Sequence, residues 1–239
     1  MMMELFLLCI VASFIQRTTG FGFGIFIMTM LPSLLPSYGE ATTLSGLLAL
    51  TTTLMITLRM YRKVVWSRLW PILLTFILVS SVAVCVLART DDVLLRRILG
   101  VTLLLISFYF FLLGSRIRFR PTRKLQLVAG TLSGLMGGFF GMQGPPAVLY
   151  FISSEPDKEH YLAMTSAYFL LGNISMTLMR AGNGFLTSQV AWGYVWGVGG
   201  VLVGAWLGAY VFNRLSGKWL RNIVYLYIGI SGIITLLEA

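Results

Sequence analysis

Eight apolar stretches, parted by short charged or Pro/Gly-rich breaks, take up almost the whole chain: 4–36, 41–60, 67–88, 93–114, 123–153, 160–180, 188–213 and 219–237. A helix needs about 20 apolar residues to cross some 30 Å of hydrocarbon, and most of these stretches are of that order. Only 11% of the residues are charged, against about 25% in a soluble domain, so too little polar surface exists to cover a water-facing globule. The expected class is an all-α polytopic membrane protein, with residues 1–239 forming a single membrane domain. The apolar N-terminus lacks a basic leader and a small-residue cleavage site, so the first stretch is read as a retained part of the fold.

Two of the eight stretches are too long and are interrupted. The first, 4–36, contains Gly20, Gly22 and Gly24, with Phe21 and Phe23 between them. The second, 123–153, contains Gly137, Gly138, Gly141, Gly144, Pro145 and Pro146. Glycine weakens a helix and proline removes a backbone donor, so each stretch is expected to be two half-helices meeting at a turn. The second half-helices should start near Phe23–Ile25 and Gly144–Pro146.

The breaks lie about 121 residues apart, near half of the 239-residue length. Laying 20–59 over 141–180 matches Gly20, Ser33, Ser45, Leu50, Met55 and Arg59 with identical residues. Each half then reads as a broken segment followed by three ordinary spans. Two internal repeats are expected, about 4–114 and about 123–237.

Charge decides between two topologies. If every segment crosses, the Lys and Arg residues of the loops divide ten against seven. If each broken segment instead returns as a re-entrant hairpin, thirteen gather on one side, leaving Arg89, Arg96, Arg97 and Arg180 on the other. The second arrangement obeys the positive-inside bias far better and turns the halves into inverted repeats, a recurring transporter plan. The same placement accounts for the net charge of +10 without nucleic acid, which is excluded as a partner.

The residues within the spans limit the chemistry. The eight acids lie at segment ends or in loops, and His160 is the lone histidine. No carboxylate pair, metal-ligand cluster or His-based nucleophile falls inside the membrane, so neither an enzyme nor a metal or other cofactor is expected. A cation carrier ordinarily places Asp or Glu at mid-depth; here the charge inside a broken segment is Arg17, beside Gln16. Half-helix N-termini at the breaks add unpaired N–H groups and a positive dipole end, a combination that binds oxyanions. The candidate substrate-binding residues are Arg17, Gln16, Gly20, Gly22, Gly24, Thr52, Gly141, Gln143, Gly144, Pro145 and Asn173. Arg180 and Arg59 are read as interfacial anchors.

The duplicated plan, with its Gly-rich break near the start of each half and Gly-x-x-Gly-Pro-Pro at 141–146, resembles the TauE/SafE family of sulfite exporters over about residues 5–235. The resemblance implies transport of sulfite or organosulfonates such as sulfoacetate across a bacterial inner membrane. It also implies a site at Gly20, Gly22, Gly24, Gly141, Gly144 and Pro145. The expected function is a secondary transporter of small sulfur-containing anions working by alternating access. A passive anion channel and a non-transporting structural subunit of a membrane complex are the alternatives. The expected partners are a small anion and the lipid bilayer, with a homodimer left open.

Overall fold

The computed structural model describes residues 2–19, 22–112, 121–155, 157–211 and 217–238. Its elements are α1 (Met2–Thr19), α2 (Phe23–Ile27), α3 (Leu31–Leu34), α4 (Tyr38–Met60), α5 (Trp66–Leu87), α6 (Asp92–Leu112), α7 (Arg123–Phe140), α8 (Gly144–Ser154), α9 (Lys158–Gly182), α10 (Ser188–Val211) and α11 (Gly217–Glu238), with a 3-10 turn at Tyr61–Lys63. Among the described residues, four helical stretches are long and apolar enough to cross a membrane: Tyr38–Lys63, Trp66–Leu87, Glu159–Gly182 and Ser188–Tyr210. Both over-long segments are interrupted, α1 giving way to α2 and α7 to α8, with the second helices starting at Phe23 and Gly144. The first segment also breaks a second time, at 28–30, because Pro32 in the opening turn of α3 starts a new helix.

Local capping sets where the long helices start. Ser37 accepts from the Glu40 N–H at the start of α4, and Thr122 accepts from Leu125 at the start of α7. Asp157 caps α9, and the N–H groups of His160 and Glu159 hold its carboxyl below the usual carboxylate range.

Glycine carries the packing between helices. Along α10, Gly200 and Gly204 lie on the backbone carbonyls of Phe6 and Ile10, and Gly208 lies on the stem of Arg17. α1 and α10 therefore run parallel, further tied by Ser13 Oγ donating to the Val201 carbonyl at 2.7 Å. Along α7, Gly130, Gly134 and Gly138 meet Ile72, Phe76 and Ser80 of α5 in the same parallel sense. Without a hydrophobic force between helices in lipid, such close backbone approach is what holds them. A Cβ at Gly204 would sit 2.1 Å from the Ile10 carbonyl oxygen. Gly204→Ala is expected to cost about 1–3 kcal/mol, read as a lower melting temperature in detergent.

The central pair, α4 and α9, is antiparallel. Arg180 reaches the Thr42 carbonyl at one end, and Lys63 pairs with Glu159 at the other. α6 and α11 are also antiparallel, with Gly100 against Gly232 and Ser107 against Gly229.

Both broken segments double back. Gln126, at the start of α7, donates to the Arg68 carbonyl at 2.7 Å, and Arg68 lies 3.9 Å from Glu155, just past the end of α8. The start of α1 and the end of α3 share a small cleft lined by Met2, Leu5, Leu34 and Leu35. Two ends of the bundle result. One gathers the start of α7, the end of α8 and the Tyr61–Lys63 turn. The other gathers the start of α4, where the Tyr38 N–H donates to Asp92 at 2.9 Å and Gly39 faces Phe185.

Polarity is arranged inside out relative to a soluble domain. Leu58, Leu78, Phe108, Leu178 and Trp206 are exposed, whereas Thr42, Thr43, Ser45, Thr53, Asn173 and Arg180 are buried along the α4–α9 seam. This is the arrangement for a protein whose outer face meets lipid, and the protein is a membrane protein of several spans.

Candidate functional site

The two breaks touch. α7 stops at Gly141, whose φ of 67° is left-handed and whose N–H bonds the Gly137 carbonyl at 3.0 Å; a side chain there would carry backbone strain. α2 starts after Gly22, left-handed at φ 99°. Two residues on, Gly24 rests directly on the Gly141 carbonyl oxygen, 2.5 Å from where a Cβ would be. No side chain fits between the two backbones at that point.

A cavity of about 40 Å³ lies at this junction. Gln16, Gly22 and Gly24 line it from the first half, and Gly141, Gln143, Gly144 and Asn173 from the second, so seven of the sequence candidates converge there. Ala49, Thr53, Phe23, Ile25, Met142 and Phe169 complete the wall. Gln16 and Gln143 are both buried, and the Oε1 atom of each has no hydrogen-bond partner among the described residues. Gln143 also donates through Nε2 to the Phe169 carbonyl at 3.3 Å. At the start of α8, Pro145 and Pro146 bring no N–H, so Gln143 and Gly144 keep the backbone donors of that end. The result is a small polar chamber enclosed by backbone and apolar side chains, in which the amide oxygens of Gln16 and Gln143 stand as unpaired acceptors beside the N-terminal end of α8.

A family model described as "Sulfite exporter TauE/SafE" matches residues 5–235. The chain belongs to the TauE/SafE sulfite exporter family. Membership implies an anion transporter, and the family is one of transporters rather than enzymes. No curated protein and no solved structure matches this TauE/SafE chain.

The other candidates lie elsewhere. Arg17 occupies the last turn of α1, with its stem on Gly208 and its side chain exposed, and does not line the cavity. Thr52 bonds back to the Ala49 carbonyl at 2.9 Å and lies outside the lining; its neighbour Thr53 bonds back to the same carbonyl at 2.9 Å but does line the chamber. Pro145 is buried in the first turn of α8, outside the lining. Gly20 falls outside the described residues. Thr52→Val is expected to leave ligand affinity within about twofold, since its hydroxyl is spent on its own helix; a binding titration of the purified variant checks this.

Arg180 corrects the reading made from its position near a segment end. It is no interfacial anchor: the side chain is 0% exposed and donates to the carbonyls of Thr42 at 3.1 Å, Gly137 at 2.8 Å and Gly138 at 3.0 Å. The helix stops soon after it, at the left-handed Gly184, and Phe185 folds back over Gly39 to close that end. Its counterpart in the repeat alignment, Arg59, is exposed. The glycine at position 39 and the aromatic after Asn183-Gly184 were the available signal in the sequence, because together they allow the chain to close over the guanidinium.

Proposed function

We propose that this TauE/SafE protein is a secondary transporter that binds sulfite in the chamber between the two broken helices and exports it by alternating access across the inner membrane. The observation that carries this is the chamber itself, where both breaks meet and Gln16, Gln143 and Asn173 converge. A volume of about 40 Å³ corresponds to roughly three water-sized positions at 10–15 Å³ each, the scale of a compact oxyanion. Sulfoacetate carries a carboxymethyl arm and would need a wider opening than this conformation offers, so sulfite is favoured over larger sulfonates.

The alternating step is proposed to rest on inverted repeats. In support, exchanging equivalent helices maps the α1–α10 pairing onto α7–α5, and the α4–α10 pairing onto α9–α5. The equivalent pairs α4 with α9 and α6 with α11 run antiparallel, as inversion requires. The doubled-back segments bring residues 61–66, Glu155, Asp157 and the start of α7 to one end, which the positive-inside bias makes cytoplasmic. Arg17, in the last turn of α1, offsets the negative end of that helix rather than touching the ligand.

The test is the melting temperature of the purified protein against sulfite, sulfate, sulfoacetate, acetate and phosphate. A ligand that binds only the folded state raises apparent stability by mass action. Sulfite is expected to give the largest rise and sulfoacetate a smaller one. Equal shifts from every anion, or none from any, would overturn the reading.

A further inference from the structure

The geometry of the break creates an electrostatic problem for an anion site. α8 directs its positive N-terminal end at the chamber, but α7 ends at the same place, and its last-turn carbonyls carry roughly half a negative charge. Left alone, these would largely cancel, and the two prolines have already removed two N–H donors from the favourable end. The chamber would then have little reason to prefer an anion over a neutral molecule.

We propose that Arg180 sets the anion preference of the chamber from behind, by overcompensating the negative end of α7. The guanidinium binds the carbonyls of Gly137 and Gly138 in that last turn, and the Gly137 oxygen also accepts from the N–H of Gly141, which lines the chamber. A full positive charge therefore stands two hydrogen bonds from Gly141 in the chamber wall. Among the described residues no carboxylate pairs with it, and its Nε has no acceptor. Ser45 and Thr177, on the facing helices between Arg180 and the chamber, are likewise buried hydroxyls without partners. A guanidinium retained at 0% exposure with only neutral acceptors is costly, and a charge placed for its field explains why it lacks a counter-ion. This inference rests on the chamber being the anion site.

A staple that merely joins α9 to α4 and α7 would use the same three hydrogen bonds, so the test reads charge dependence rather than stability. Three probes share a sulfur centre with oxygens but differ in charge: sulfate, methanesulfonate and dimethyl sulfone. Their affinities are measured by calorimetry on the full chain in detergent at low salt. The wild type is expected to prefer them in that order. Arg180→Gln is expected to weaken binding by about tenfold per unit of ligand charge, leaving the sulfone unchanged, and Arg180→Lys is expected to restore the order.

A second variant keeps the guanidinium and its bonds. A Cβ on Gly46 would lie 3.6 Å from Arg180 Nη1, in ordinary contact, so Gly46→Asp places a carboxylate beside the charge and Gly46→Asn serves as its control. Gly46→Asp is expected to flatten the charge preference as Arg180→Gln does, while Gly46→Asn leaves it intact. Losses of the same factor for all three probes, or a Gly46→Asp protein with the wild-type order, would overturn the role given to Arg180. A wild type that shows no preference for charged probes would instead remove the anion site itself.

Discussion

Asn173→Asp is expected to lose sulfite affinity by more than about a hundredfold at pH 8, with little change in folding. The substitution keeps the size of a side chain that lines the chamber and exchanges a neutral amide for a carboxylate. Two like charges about 5 Å apart repel by roughly 3 kcal/mol at an effective dielectric of 20, and the dianion feels this twice. Asn173→Ser, which removes the amide without adding charge, is expected to cost only about tenfold, the worth of one or two hydrogen bonds. The separation between the two variants, measured by isothermal titration, is the direct reading of the sign of the site. Similar losses from both would mean that the chamber does not hold an anion.

Gly24→Val is expected to abolish transport while the chain still inserts in the membrane. The new Cβ would be driven against the Gly141 carbonyl oxygen, 2.5 Å away, and Met142 Cα lies at 3.6 Å. Backbone on both sides leaves nothing flexible to give way, so the breaks must part and the chamber between them loses its shape. Gly22 provides the contrast: a Cβ there meets only Ile15 Cγ2 at 3.8 Å, and the objection is its φ of 99°. Gly22→Ala should therefore cost about 1–2 kcal/mol of strain with a partial loss of uptake or efflux in proteoliposomes. Equal activity for Gly24→Val and the wild type would show that the contact between breaks is dispensable.

What the sequence made legible follows from how local each rule is. Glycine and proline act on their own backbone, so the breaks were readable, and the helix starts to within a turn, at the first residues of the expected windows Phe23–Ile25 and Gly144–Pro146. Much of the chamber lining came with them, because the breaks themselves build it. Thr52 and Thr53 differ by one step, about 100° around a helix, and only knowledge of which face α4 turns inward separates them. Arg17 was read from its depth in a broken segment, but the last turn of α1 carries its side chain to the outside. Arg180 was read from its distance to a segment end, whereas its burial depends on Phe185 closing over Gly39, a contact across 146 positions of chain. The extra interruption at 28–30 was masked by the apolar residues on both sides of it.

The parallel pairing of α1 with α10 bears on how such a protein is made. The face of α1 that fits the glycines of α10 has its partner almost two hundred residues further on, so the ribosome delivers the first helix long before the surface that receives it. α7, by contrast, emerges to find α5 already in place. During biogenesis α1 must stay in the membrane with Ser13 unpaired, shielded by the insertion machinery or by lipid. The last fifth of translation is then when the assembly locks, and late truncations that remove α10 should strand the N-terminal helix for quality-control proteases to find.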